Sequence, residues 1–273
     1  MEAKFKSYAE RCQRSRGLIE LRLPPRKRSG RPGGHMKLDL LAIAAHPDDI
    51  ELTCGGTLIK MARRGYKTGI LDLTRGEMGT RGTPELRARE AAKAARILGV
   101  TVRENAGLPD AGLALAQDQK LEIAQYIRRL RPHTVILPYW EGRHPDHYTA
   151  GRLAYEACFL AGLTRLPIPG EAFRPFKVLY TTFDHPMRPT FVVDISREYA
   201  RRQRAVLAYQ SQFRPKKAGA VSKVFMPLDQ LDERVGLIAR HFGEMIGVQY
   251  GEGFHVREAL QIEDVVGIPV RSL

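Results

Sequence analysis

Residues 38–45 form an almost unbroken apolar run that ends abruptly in His46-Pro47-Asp48-Asp49. A second run, Thr134-Val135-Ile136-Leu137-Pro138, is followed shortly by Arg143-His144-Pro145-Asp146-His147. Short continuous apolar runs of this kind read as buried strands. Two such strands, each delivering His and Asp at its C-terminal end, build a reactive crevice at the carboxyl edge of an open α/β sheet. That placement constrains the fold more tightly than any other feature of the chain.

From Met36 onward, apolar runs alternate with helix-like segments, the pattern of βαβ units in a mostly parallel sheet. Strands are expected at about 38–45, 68–73, 100–104, 134–138, 177–183 and 190–195. Pro84 behind Thr83 starts a helix that Gly99 stops, because proline suits the first helical position and glycine the residue after the last. Further helices are expected from about 117 to 131, from His147 to Gly162, over 196–210 and over 229–245, with residues 211–228 as a loop. No internal repeat is present, and no linker demands a second domain. The predicted fold class is α/β: a single doubly wound, mostly parallel, Rossmann-like sheet with a C-terminal extension, spanning residues 36–273.

Composition narrows the function. A content of 43% hydrophobic and 27% charged residues suits a globular domain. No apolar run approaches the roughly 18 residues that cross a bilayer. The N-terminus lacks the basic, apolar and small-residue order of a secretory signal. Cys12, Cys54 and Cys158 are widely spaced and form no metal or redox pair. A cytoplasmic protein with no membrane partner is expected. The net charge of +14 invites a nucleic-acid reading, but ten Lys/Arg against three Asp/Glu place +7 of it in residues 1–35. This Pro-rich segment reads as a disordered basic tail, or as the product of a start called upstream of Met36. No aromatic residue interleaves with its basic ones between Arg11 and Arg31, so no base-stacking platform is expected. A non-catalytic, basic nucleic-acid-binding protein is therefore the weaker reading.

The residue types at the two strand ends suit a divalent metal with a carboxylate base beside it. In a turn entering a helix, residues three apart point in similar directions, so His46 and Asp49 converge on one ion while Asp48 is free to take a proton. His147 can complete a two-His, one-carboxylate set, the pattern of catalytic zinc with open positions for water and substrate. Such a set also serves Fe²⁺, and the sequence leaves that choice open. His144 lies three residues before His147, and Asp146 is placed to orient one of the imidazoles. The alternative for this pentapeptide is a polar loop with Asp146 as helix N-cap. Arg75, Arg81 and Arg87 follow the second strand on the same sheet edge, and their forked donors suit an anionic, carboxylate-bearing substrate. Gly55-Gly56 lacks a dinucleotide or P-loop spacing, no Gly-x-Ser-x-Gly elbow exists, and Cys54 reads as a buried small residue. His133 reads as structural, and His185, His241 and His255 as non-ligands.

Ala45-His46-Pro47-Asp48-Asp49 together with His144-Pro145-Asp146-His147 resembles the PIG-L/LmbE family of metal-dependent N-acetylglucosamine deacetylases. The resemblance covers about 37–262. Within it, Ile50-Glu51-Leu52, residues 72–77 and 82–87, Arg143, Ser211-Gln212-Phe213 and Tyr250-Gly251-Glu252-Gly253-Phe254 are most similar to the bacillithiol-biosynthesis branch. That branch deacetylates N-acetylglucosaminyl L-malate. The resemblance implies His46, Asp49 and His147 as Zn²⁺ ligands and Asp48 as general base. It implies His144, oriented by Asp146, as oxyanion donor or acid. Arg87 is the expected grip on malate, with Arg81 and Arg143 as further substrate contacts, and a homo-oligomer is implied as well. One departure stands out. Gly142 occupies the place of a tyrosine that serves as an acid in mycothiol-pathway relatives, so the proton for the leaving amine must come from elsewhere.

Overall fold

The computed structural model describes residues 36–183, 185–213 and 228–270. The expected basic tail, residues 1–35, and most of the expected loop at 211–228 lie outside these residues. Five parallel strands form the main sheet in the order β3-β2-β1-β4-β5. They are β1 (Leu40–Ala44), β2 (Thr68–Thr74), β3 (Val102–Leu108), β4 (Thr134–Pro138) and β5 (Lys177–Thr181). The chain winds outward from β1 to β3, then returns to the other side of β1 to lay down β4. The topological switch point therefore lies between β1 and β4, the pair that carries the two His/Asp motifs.

All five residues of β1 are buried, because both faces of the sheet are covered. Successive side chains point to opposite faces. Leu41 and Ile43 join one apolar core with Ile123 and Ile127 of α4 (Gln117–Leu130) and Leu153 and Ala157 of α5 (Pro145–Ala161). Leu40, Ala42 and Ala44 join a second core with Leu58 of α2 (Gly55–Arg63), Ala94 and Leu98 of α3 (Pro84–Leu98) and Ala205 of α6 (Tyr199–Val206). Helix α5 approaches β4 so closely that a Cβ on Gly151 would sit 2.2 Å from the Pro138 carbonyl oxygen. Only glycine permits that contact, which fixes the first turn of α5, and with it His144 and His147, over the end of β4.

Helix α3 has the expected ends: Thr83 Oγ1 accepts the Leu86 amide at 3.2 Å, and Gly99 takes φ 78°. β3 extends four residues beyond the expected range. Its polar residues Arg103, Glu104 and Asn105 hide the apolar signal, while Arg103 is in fact held inside by Asp72. Helix α5 starts at Pro145 with His144 as N-cap, in place of the expected start at His147, because the His144 ring accepts the Asp146 amide. The C-terminal extension continues through α7 (Gln210–Phe213) and α8 (Leu228–Glu244). It also contains β7 (Gly251–Phe254), a strand that its glycines conceal in the sequence. β7 pairs antiparallel with β6 (Phe191–Asp194) in a separate two-stranded sheet. Among the described residues, no helix is long and apolar enough to cross a membrane.

Candidate metal centre and active site

The β1 motif leaves the sheet through a strained turn. Asp48 has φ 117° and ψ −26°, a left-handed conformation that a non-glycine residue holds only when its surroundings enforce it. Here Arg87 enforces it. Its Nε donates to the Pro47 carbonyl at 3.2 Å, one terminal nitrogen to the Gly76 carbonyl at 3.3 Å, and the other to Asp48 Oδ2 at 3.0 Å. The next residue, Asp49, opens the one-turn helix α1 (Asp49–Thr53) and turns its carboxylate to the two motif histidines. His46 Nδ1 lies 3.4 Å from Asp49 Oδ2, and His147 Nε2 lies 3.2 Å from Asp49 Oδ1. The His144 ring packs 5.0 Å from that of His46 and 4.6 Å from that of His147.

These separations suit one cation. Two donor atoms each about 2.0–2.1 Å from a tetrahedral zinc lie about 3.3 Å apart. The ligating atoms of His46, Asp49 and His147 all fall within 4.8 Å of one another, as do those of His46, His144 and Asp146. The protonation pattern agrees with the first set. His46 Nε2 lies 2.9 Å from Asp110 Oδ1 and 3.5 Å from Asp146 Oδ2, so a neutral His46 ring bound to a metal would keep its proton on Nε2 and offer Nδ1 to the ion. A carboxylate behind a ligating imidazole is the usual way its ring is oriented.

Electrostatics separates the two adjacent carboxylates. Burial favours protonation of both. At Asp49 the neighbouring His147 and His46 overcome burial and hold the carboxyl well below its usual range. At Asp48 burial prevails over the Arg87 guanidinium, and with the Asp49 charge alongside, the pKa is raised. His46 shows what the pocket demands. Burial opposes its charge, yet hydrogen bonds to Asp110, Asp146 and Asp49 push its pKa up to about 12. Three carboxylates converge on a space that calls for positive charge, whether proton or metal ion.

The structure thus brings together His46, Asp48, Asp49, His144, Asp146 and His147, and it changes some expected contacts. Arg87, expected to grip malate, is buried and turned to Asp48, Pro47 and Gly76. Arg81 points to the Gln212 carbonyl, while Arg143 lies exposed beside His144. The Asp146 carboxylate faces His46 and accepts the Ala111 amide at 2.7 Å. Its contact with His144 is through its backbone instead: the Asp146 amide donates to His144 Nδ1 at 3.2 Å, leaving the ring's donor on Nε2. Cys54 is buried, with its thiol pKa pushed up by that burial, and His133 stacks on Phe176. His185 lies 3.3 Å from Glu141.

Asp110 is the residue that sequence reasoning missed. It follows β3 directly and is held by the Met78 amide at 2.9 Å as it meets His46. Pro109-Asp110 at a third strand end is the available signal, and it shows only when β3 is taken through to Leu108. An apolar pocket lined by Leu52, Pro138, Tyr139, Thr182 and Phe183 opens beside Asp49 and His147.

The family described as PIG-L, GlcNAc-PI de-N-acetylase, matches residues 41–158. The chain is 33% identical over 227 residues to the diacetylchitobiose deacetylase of Thermococcus kodakarensis, covering 78% of this chain and 81% of that protein. It is 30% identical over 159 residues to the 1D-myo-inositol 2-acetamido-2-deoxy-alpha-D-glucopyranoside deacetylase of Segniliparus rotundus, where the match covers 44% of this chain and only 50% of the relative. The crystal structure of a conserved protein from Thermus thermophilus superposes with a TM-score of 0.75 at 45% identity, over 83% of this chain and 98% of that one. A shared fold, a family match over residues 41–158 and 33% identity along most of a diacetylchitobiose deacetylase place this chain in the PIG-L family of deacetylases.

Proposed function

We propose that the protein hydrolyses the N-acetyl group of an N-acetylglucosamine conjugate with an anionic aglycone, with N-acetylglucosaminyl L-malate as the specific candidate. The observation that carries the hydrolytic reading is the division of labour between two adjacent carboxylates. Asp49, held ionised between His46 and His147, is the ligand; Asp48, with its raised pKa, is the base. Zn²⁺ is the proposed ion, with Fe²⁺ compatible with the same donors; bound there, it supplies Lewis-acid charge and eases deprotonation of water.

The side chains supply the remaining steps. Asp48 takes the proton of the attacking water and returns it to the leaving amine, which resolves the absence of a tyrosine at Gly142. Arg87 holds Asp48 in its strained conformation and keeps its pKa from rising further. Neutral His144 directs its Nε2 proton at the developing oxyanion. Burial and the neighbouring His147 and His46 keep its pKa low, so the ring is an uncharged donor at neutral pH. The apolar pocket beside Asp49 and His147 takes the acetyl methyl group. Arg143 and the exposed Arg75 are the cations proposed to meet the anionic aglycone.

The test is amine release from N-acetylglucosaminyl L-malate, free N-acetylglucosamine and N,N'-diacetylchitobiose, each with chelator and with Zn²⁺ restored. Metal-restored turnover highest on the malate conjugate supports the proposal in full. Preference for diacetylchitobiose keeps the deacetylase and removes the malate assignment. Chelator-resistant turnover rejects the metal.

A further inference from the structure

The stretch Tyr250-Gly251-Glu252-Gly253-Phe254 takes no part in the chemistry above, yet it carries a fully buried carboxylate. Glu252, on β7, is 2% exposed. It accepts the Gly56 amide at 2.8 Å, the Thr57 amide at 2.7 Å and the Thr57 hydroxyl at 2.6 Å. These donors form the first turn of α2. Arg202, also 2% exposed, lies on α6 with Nε 3.2 Å from Glu252 Oε1. The same Nε donates to the Glu51 carbonyl at 3.0 Å, and a terminal nitrogen donates to the Leu52 carbonyl. These acceptors close α1, the short helix that begins with Asp49.

One buried ion pair thus joins the last carbonyls of the helix that presents Asp49 to the first amides of the helix that follows. Its polarity suits both ends: a cation on unpaired carbonyls and an anion on unpaired amides. The surrounding glycines show that the fit is built. A Cβ on Gly56 would sit 2.9 Å from Glu252 Oε1 and from Ile195. On either side of Glu252, a Cβ on Gly251 or Gly253 would come within 2.6 Å of Val192 Cγ1 or 2.5 Å of the Phe242 ring. The Glu51 side chain anchors α1 from another side, through Arg103 at 2.6 Å and the Tyr209 hydroxyl at 3.3 Å.

We propose that Glu252 and Arg202 are positioning residues of the metal centre: their buried pair sets the direction in which α1 presents Asp49. The inference rests on the metal reading of the site. Neither residue touches the reacting atoms, and both come from the C-terminal extension, far along the chain from the motif they steady. Loss of a partner hydrogen-bonded directly to a metal ligand weakens metal affinity by about 10–100-fold; this pair acts one contact further out, through the α1 backbone, so the lower end of that range is expected.

The test uses the full chain, apo and titrated with Co²⁺, whose visible ligand-field bands report coordination geometry. The variants are Glu252→Gln, which keeps shape but removes the charge, and the milder Thr57→Val. Arg128→Met is the control, because Arg128 is equally buried but binds the carbonyls of Ala161, Leu163, Ile168 and Gly170, away from the motif. Glu252→Gln is expected to bind Co²⁺ about tenfold more weakly with an altered band pattern, and to lower kcat with KM unchanged. Thr57→Val shows a smaller change in the same direction and carries the test should Glu252→Gln not fold. Arg128→Met lowers Tm and leaves the bands as in wild type. Wild-type affinity and bands in both Glu252→Gln and Thr57→Val overturn the proposal, as does an equal spectral change in Arg128→Met. A wild-type protein that shows no Co²⁺ bands rejects the metal reading itself, and the clamp with it.

Discussion

The two His/Asp motifs look alike in sequence and are built differently. The β1 motif is buried and tied down: His46 against three carboxylates, Asp48 in a left-handed turn under Arg87, Asp49 at the head of α1. The β4 motif is the start of an ordinary helix, capped by His144, with the His147 side chain 29% exposed. One motif is a rigid platform and the other is the open side. The proposed site, which would hold a cation and admit a substrate, needs both, and buried polar groups are tolerated where they have partners.

Substitutions on the two sides should therefore fail differently. Asp48→Asn is expected to lose at least about a thousandfold in kcat while retaining metal, measured by turnover beside metal analysis. Retained turnover would remove Asp48 from the chemistry. His46→Ala should lose metal and also about 3 kcal/mol of stability, because it strands buried carboxylates. His147→Ala should lose metal while unfolding near the wild-type denaturant midpoint; equal destabilisation by the two substitutions would erase the contrast between the motifs. His144→Ala is expected to cost about a hundredfold in kcat, the usual worth of one oxyanion donor, with metal content intact.

The smallest expected effect sharpens the contrast through pH. Asp48 must be ionised to accept a proton, so activity falls as pH drops through its pKa, which burial raises above the ordinary carboxylate value. The Arg87 guanidinium opposes that rise. Arg87→Met should therefore move the acid limb of kcat/KM to higher pH, on every substrate alike. A loss confined to the malate conjugate would return Arg87 to the role of substrate grip.

Much of the site is legible in the sequence because it is local. His46 to Asp49 and His144 to His147 sit immediately beyond apolar runs, and a strand end fixes where such residues go whatever the rest of the chain does. Thr83, Pro84 and Gly99 mark their helix for the same reason, since capping is a matter of a few neighbouring residues. Asp110 escaped because β3 runs on from Asn105 through Gly107 to Leu108, a stretch whose polar residue and glycine lack a strand's apolar signal, so the strand end lies four residues beyond the expected one. β7 escaped because Gly251 and Gly253, poor strand formers in isolation, are selected there by the approach of Val192 and Phe242.

The sequence by itself determined the parallel α/β plan, the edge of the sheet where chemistry gathers, and the donor types for a metal. Each follows from hydrophobic period and from residues adjacent in the chain. Only the tertiary structure decided which way the side chains face: Arg87 toward Asp48, Asp146 toward His46, and Glu252 and Arg202 beneath the turn that carries Asp49. Those directions are set by contacts between segments tens to nearly two hundred residues apart. Burial and charge balance across such contacts are properties of the packed whole, and no local window contains them.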